Sequence, residues 1–236
     1  MLKSTRRNFL KGLACAAFAP AYLPAVTSLA GVADAPAFEF VSILEHEGLI
    51  GAHDIEIRGS LAFVAGKANQ SLGRRAGRFA VLDISDPTKP SVLSTLSEED
   101  NEGLHNAETV LLVGNTCLLG CDDLLAIDIS DPAAPRITAR VRHKKVARIN
   151  GMIHWGKVAI AANKSGYLDV FDITNPHDPQ FTGALNTRAL GNLHSPHDIA
   201  RFGSRHLVVP SAGKHVPVHF GIYEVSDNGS AVLPVE

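Results

Sequence analysis

Two histidines and an aspartate fall within five residues at His194-Ser195-Pro196-His197-Asp198. Imidazole nitrogens with a carboxylate beside them are donors suited to copper, zinc or iron, and a catalytic site keeps one coordination position open. The chain has 11 histidines in 236 residues. A weaker echo of the same stretch stands at Leu104-His105-Asn106-Ala107-Glu108-Thr109. His53, His105, His194 and His197 are therefore the candidate metal ligands, with Glu108 among them. His215 and His219 form a second pair, four apart and so on one face of an extended strand. His143 stands among Arg142, Lys144 and Lys145 and reads as a solvated basic turn. The competing role for a His-Asp pair is structural: ring nitrogens tied to backbone and carboxylate as a fixed hydrogen-bonding element. His53-Asp54 and His197-Asp198 fit that role. His105 and His194 are not explained by it and are the sharper functional candidates.

These residues recur because the chain repeats. RFAVLDISDPTKPSVLSTL starts at Arg78, LLAIDISDPAAPRITARV at Leu124 and YLDVFDITNPHDPQFTGAL at Tyr167. A degraded copy, GIYEVSDNGSAVLPV, starts at Gly221. The acids at their centres, Asp83, Asp128, Asp172 and Glu224, follow one another at intervals of 45, 44 and 52 residues. Within each unit the short apolar run predicts a strand. The Ser-Asp-Pro or Thr-Asn-Pro after it predicts a turn, since Asp and Asn side chains bond nearby amides and Pro presets its backbone angle. That role accounts for these carboxylates better than calcium does, because they lack the dense oxygen spacing of a calcium loop. Upstream, each unit carries two more strands joined at Gly59, Gly114, Gly156 or Gly203. Aligning on those glycines puts His53, Glu108, Asn150 and His197 in one column at the start of an innermost strand.

Four strands in 42 to 55 residues is the period of a β-propeller blade. The Asp-Ile-Ser-Asp-Pro core resembles the LVIVD repeat over about residues 39 to 236. The resemblance implies an all-β propeller of about four recognisable four-stranded blades, near 47–96, 104–142, 146–186 and 193–236. Innermost strands line a propeller's channel, so the column would ring one mouth of it. The histidine-bearing blade starts also resemble, faintly, the selenium-binding protein and methanethiol oxidase family, propellers with histidines at a copper site. Four blades is the lower limit for closure, so a closed ring, an open arc and a longer parent chain are all compatible with the repeat count. An extra segment, FEFVSILEH at 38–46, matches the outer strands in pattern and reads as a spare strand.

The N-terminus reads as an address. Ser4-Thr5-Arg6-Arg7-Asn8-Phe9-Leu10-Lys11 resembles the twin-arginine export signal, with Arg6 and Arg7 as the paired arginines. No charge follows from Gly12 to Ala33, and Ser28-Leu29-Ala30 offers a cleavage site before Gly31. The reading is therefore a signal peptide at 1–30 and a propeller domain at 31–236, delivered to the periplasm or the exterior, with no stable membrane insertion after cleavage. Residues beyond 30 carry 18 basic and 24 acidic side chains, a mildly acidic balance with no footprint for nucleic acid. Cys117 and Cys121 are four apart, too far to bridge along a straight strand, and read as unpaired thiols with Cys117 buried. The functional expectation is a binding or protein-interaction module for a protein or small-molecule ligand, with self-association through open blade edges. The alternative is a metal-dependent oxidoreductase or hydrolase whose transition metal sits at the channel mouth.

Overall fold

Each glycine that aligns the repeats turns a hairpin. Gly59, Gly114, Gly156 and Gly203 have φ of +61°, +57°, +59° and +63°, a region where a side chain is crowded and glycine is not. The first three turns hold two residues, since Arg58 pairs with Leu61, Val113 with Thr116 and Trp155 with Val158. The fourth holds three, Phe202 pairing with His206. The computed structural model describes residues 39–68, 76–190, 194–211, 220–226 and 232–234. The Arg6-Arg7 segment with its cleavage site, His215, His219 and most of the loop after Gly66 lie outside them. The chain divides into two units, Met1–Phe40 and Val41–Glu236, and every strand belongs to the second.

The strands make four antiparallel sheets of four, each a meander in chain order. Blade 1 holds β1 (Ala52–Arg58), β2 (Leu61–Gly66), β3 (Arg78–Asp83) and β4 (Ser91–Ser97). Blade 2 holds β5 (Thr109–Val113), β6 (Thr116–Gly120), β7 (Leu124–Asp128) and β8 (Arg136–Val141). Blade 3 holds β9 (Ile149–Trp155), β10 (Val158–Asn163), β11 (Tyr167–Asp172) and β12 (Gln180–Asn186). Blade 4 holds β13 (Ala200–Phe202), β14 (His206–Pro210), β15 (Phe220–Val225) and β16 (Val232–Pro234). Four such sheets built on this repeat make the fold a β-propeller architecture.

The Asp of each repeat acts on its own turn. Asp83, Asp128 and Asp172 accept from the amides of Ser85, Ser130 and Thr174 at 2.8, 2.9 and 2.8 Å. Asp86 and Asp131 repeat the bond to Thr88 and Ala133 at 2.9 and 3.0 Å. These are Asx turns, which stop one strand and launch the next. They hold all three Asp83-type carboxyls below the usual range, Asp128 at about 2, chiefly through the bonds from Ser130.

Alternation along each strand gives every blade one face for the blade before it and one for the blade after. Phe63, Phe79 and Val81 of blade 1 meet Val110, Leu119 and Ile127 of blade 2 in one cluster. Leu111, Leu118 and Ala126 on the other face of blade 2 meet Met152, Ala161 and Phe171 of blade 3. Ile160, Leu168 and Val170 then meet Leu207, Tyr223 and Val225 of blade 4. Among the described residues no apolar cluster joins blade 4 to blade 1.

The predicted spare strand is not one. Residues 41–46 form no strand and lead into a single 3-10 turn, Glu47–Leu49. Leu44 and Leu49 lie instead on the outer face of blade 1, against Ala62, Val64, Ala80 and Leu82. Phe40, Val41 and Ile43 stay exposed, and β16 already occupies the outer edge of blade 4. Cys117 and Cys121 are free and buried, and burial pushes both thiols well above their ordinary value.

Candidate functional site

The column of blade starts falls where the strand ladder breaks. In blade 1 the register shifts between Ala52 and Asp54, leaving His53 unmatched. In blade 3 it shifts between Ala162 and Asn163, leaving Asn150 unmatched. An extra residue of this kind re-aims a side chain out of its sheet. His53 Nδ1 accordingly lies 2.8 Å from the Glu108 carbonyl of blade 2, and Asn150 Nδ2 donates to the His197 carbonyl of blade 4 at 2.9 Å. One position thus stitches alternate blades to their successors.

Glu108, the blade 2 member of the column, does something different. It is 0% exposed and bridges its two neighbours. Lys67 of blade 1 donates to Oε1 at 2.6 Å and Lys164 of blade 3 to Oε2 at 2.5 Å. Burial is the largest single influence and would raise the carboxyl. The bonds and charges of Lys164 and Lys67 together outweigh it and hold Glu108 below its ordinary value. Lys164 is itself held below its ordinary value, first by burial and then by repulsion from Lys67 and Arg148, because it has only a share in one carboxylate. Lys67 and Lys164 occupy matching places just past β2 and β10, at the same interval from the hairpin glycines Gly59 and Gly156. Extending the glycine alignment past the second strand would have paired them. Sequence reading alone had no reason to attach them to Glu108.

His53, Asp54, Glu108, Thr109, Asn150, His197 and Asp198 together line a cavity of about 180 Å³. All four blades contribute to it. Asp54 Oδ2 accepts from Thr109 Oγ1 at 2.8 Å and from the Val110 amide at 3.0 Å. Asp54 and Asp198 each accept from the next residue's amide at 2.9 and 2.8 Å, so the two His-Asp pairs share one local geometry. His197 Nδ1 lies 3.0 Å from the Ser195 carbonyl. A carbonyl can only accept, so Nδ1 of both His53 and His197 carries a hydrogen; in the neutral ring Nε2 is then the acceptor, and that of His53 lies 4.0 Å from Glu108 Oε2. Asn150 Oδ1 is buried without a hydrogen-bond partner.

His105 and His194 do not line this cavity. The His105 ring sits in the loop before β5, with Nδ1 3.2 Å from Glu98 and Nε2 3.9 Å from Asp122. His194 lies in the turn before β13, where its carbonyl accepts from Arg188 at 3.1 Å. The four histidines therefore separate into a pair in this cavity and two in loops. Among the described residues, no three His, Cys, Asp or Glu side chains gather as a metal centre needs.

Residues 51–96, 107–142 and 156–187 match the LVIVD repeat. No curated protein matches the chain. A protein of unknown function from Desulfotomaculum acetoxidans DSM 771 is similar in structure, with a TM-score of 0.59 and 12% identity over 78% of this chain and 55% of that one. This chain thus spans about half the length of that relative. The computationally designed Ika4 protein is similar with a TM-score of 0.54 and 12% identity, over 80% of this chain and 99% of its own. Likeness at such identity concerns the fold alone.

Proposed function

On the premise of a scaffold built from LVIVD repeats, we propose that the chain is an exported binding module whose mouth cavity takes a small, donor-rich cation such as an ammonium group, free or on a partner's side chain. Export rests on the resemblance of Arg6-Arg7 and the uncharged run after them to a twin-arginine signal. The recognition chemistry rests on one observation above all. Both cavity histidines have Nδ1 committed to a backbone carbonyl, so each presents Nε2 as an acceptor when the ring is neutral. Asn150 Oδ1 adds a third acceptor, and Asp54 and Asp198 supply the negative charge. The two ammonium groups nearby are engaged by Glu108. Acceptors and carboxylates with the local cations already paired favour a ligand that donates and is positive.

The test is a titration watched through histidine ring nitrogens by NMR. Methylammonium should shift Nε2 of His53 and His197 and leave His105 unmoved, whereas acetate should shift neither. Asn150→Ala should weaken the methylammonium response several-fold. Preferential binding of acetate would overturn the proposal. Tight zinc or copper binding through both Nε2 atoms would replace it with the metal-dependent alternative.

A further inference from the structure

Register explains the exposure of five large apolar residues, Ile55, Ile57, Phe202, Phe220 and Ile222. Ile55 and Ile57 of β1 align with Val110 and Leu112 of β5, which pack on the preceding blade. They are themselves 52% and 62% exposed. Phe220 and Ile222 of β15 align with Leu124 and Ala126 of β7 and with Leu168 and Val170 of β11, which pack on the following blade. Phe220 is 69% exposed and Ile222 41%. Phe202 of β13, aligned with Trp155 of β9, is 62% exposed on the same face. The exposed patches are thus the two blade-to-blade faces left over when four blades stack, one asking for a predecessor and one for a successor. Patches of this kind mark interaction sites on soluble proteins.

The two faces also differ in shape. On blade 1, Leu44 and Leu49 cover the middle strands β2 and β3. Between them and β1 lies a mostly apolar groove of about 450 Å³, lined by Leu44, Leu49, Ile55, Val64 and Leu82 together with His53 and Asp54. On blade 4 the residues standing out are aromatic, Phe202 and Phe220. One chain therefore carries a knob and a hole on different faces, built from the register positions that already form three interfaces within it.

We propose that the partner for these faces is a second copy of this chain, blade 4 of each copy seating Phe202 and Phe220 on the Ile55–Ile57 face of the other. The contact joins unlike surfaces, so it is heterologous, and two copies that satisfy each other reciprocally close on themselves as a dimer. A second copy is favoured over an unrelated partner because each face is complemented by the other, and because the contact continues the repeat's own interface.

Sedimentation or light scattering of the full chain at tens of micromolar should give a dimer. Phe202→Asp with Phe220→Asp should weaken association by at least about a hundredfold, and Ile55→Asp with Ile57→Asp should do the same, because each change puts a charge in the centre of an apolar contact. An equimolar mixture of the two variants should recover dimer, since one of its two contacts is unaltered. That recovery also requires both variants to be folded. If both variants lose their far-UV strand signal, Phe202→Ser and Ile57→Thr take their place. A monomeric parent chain, a dimer broken by the blade 4 changes alone, or no recovery on mixing folded variants would overturn the proposal. The ammonium cavity is tested separately, because methylammonium binding in a monomer would leave that reading standing.

Discussion

At the scale of single residues, Glu108 holds the most consequential charge. Replacing it with Gln leaves the Lys67 and Lys164 ammonium groups without their shared counter-charge, so Glu108→Gln should cost about 3 kcal/mol of unfolding free energy in denaturant titrations. Its pH behaviour follows from the lowered carboxyl. A depressed folded value means a contribution present above the ordinary 4.5 and lost as pH falls through the lower folded value, so the acid limb should flatten in the variant. Asp169 behaves in the opposite sense. Burial raises its carboxyl to about 7, against the bond from Asn163 and the charge of Lys145, and its Oδ1 has no hydrogen-bond partner. A raised folded value means the contribution is fullest below 3.8 and is lost as pH rises towards 7. Asp169→Asn should remove that decline and raise stability at pH 8 by an amount on the order of 2 kcal/mol, read from melts at pH 4 and 8. The sequence made Glu108 visible as a member of a column. The two lysines that define its role come from other blades, and no local pattern ties them to it.

At the scale of elements, the bulged column and the glycine beside it decide how closely blades approach. Gly151 follows Asn150 in β9, and a methyl group there would lie 2.6 Å from Asp198 Oδ1 and 2.8 Å from the Asp198 Cα. Backbone cannot give way as a side-chain tip can. Gly151→Ala should therefore loosen the blade 3–blade 4 contact and cost roughly 2 kcal/mol in thermal or chemical melts. A methyl group on Gly183 in β12 would meet nothing within 4 Å, and Gly183→Ala should be neutral or stabilising by up to about 0.5 kcal/mol. If both substitutions behaved alike, close packing at the mouth would not be what Gly151 provides. The hairpins and Asx turns were readable before any coordinates, because Gly at positive φ and Asp before Ser or Thr act over two or three residues. The alternation of FEFVSILEH predicts a strand, but its described residues pair with no neighbouring strand; only Leu44 packs on blade 1, while Phe40, Val41 and Ile43 stay exposed.

At the scale of the whole molecule, stability passes from blade to blade. Among the described residues, blade 2 is packed on both faces, whereas blade 4 meets a neighbouring cluster on one. In a repeat array, terminal units open more readily than internal ones. Native-state hydrogen exchange should therefore protect the amides of β6 and β7 longest and those of β14 and β15 less. Equal protection across the four blades would instead indicate one cooperative unit. The faces that leave blade 4 weakly supported are those proposed to meet a second copy, so the monomeric Phe202→Asp, Phe220→Asp chain should exchange faster still in β14 and β15 than the parent.

By itself the sequence determined the strands, their order, the turns and the fourfold repetition, because each depends on residues close together in the chain. It also placed the column of His53, Glu108, Asn150 and His197, since repetition makes equivalent positions visible. The tertiary structure alone decided which histidines meet. It brought His53 and His197 into one cavity, left His105 between Glu98 and Asp122, and set Lys67 and Lys164 on Glu108. The physical reason is that contacts between blades depend on bulges, on the twist between sheets and on side-chain reach. These quantities act between residues far apart in the chain, 41 positions for Lys67 and Glu108 and 144 for His53 and His197, and no local pattern records them.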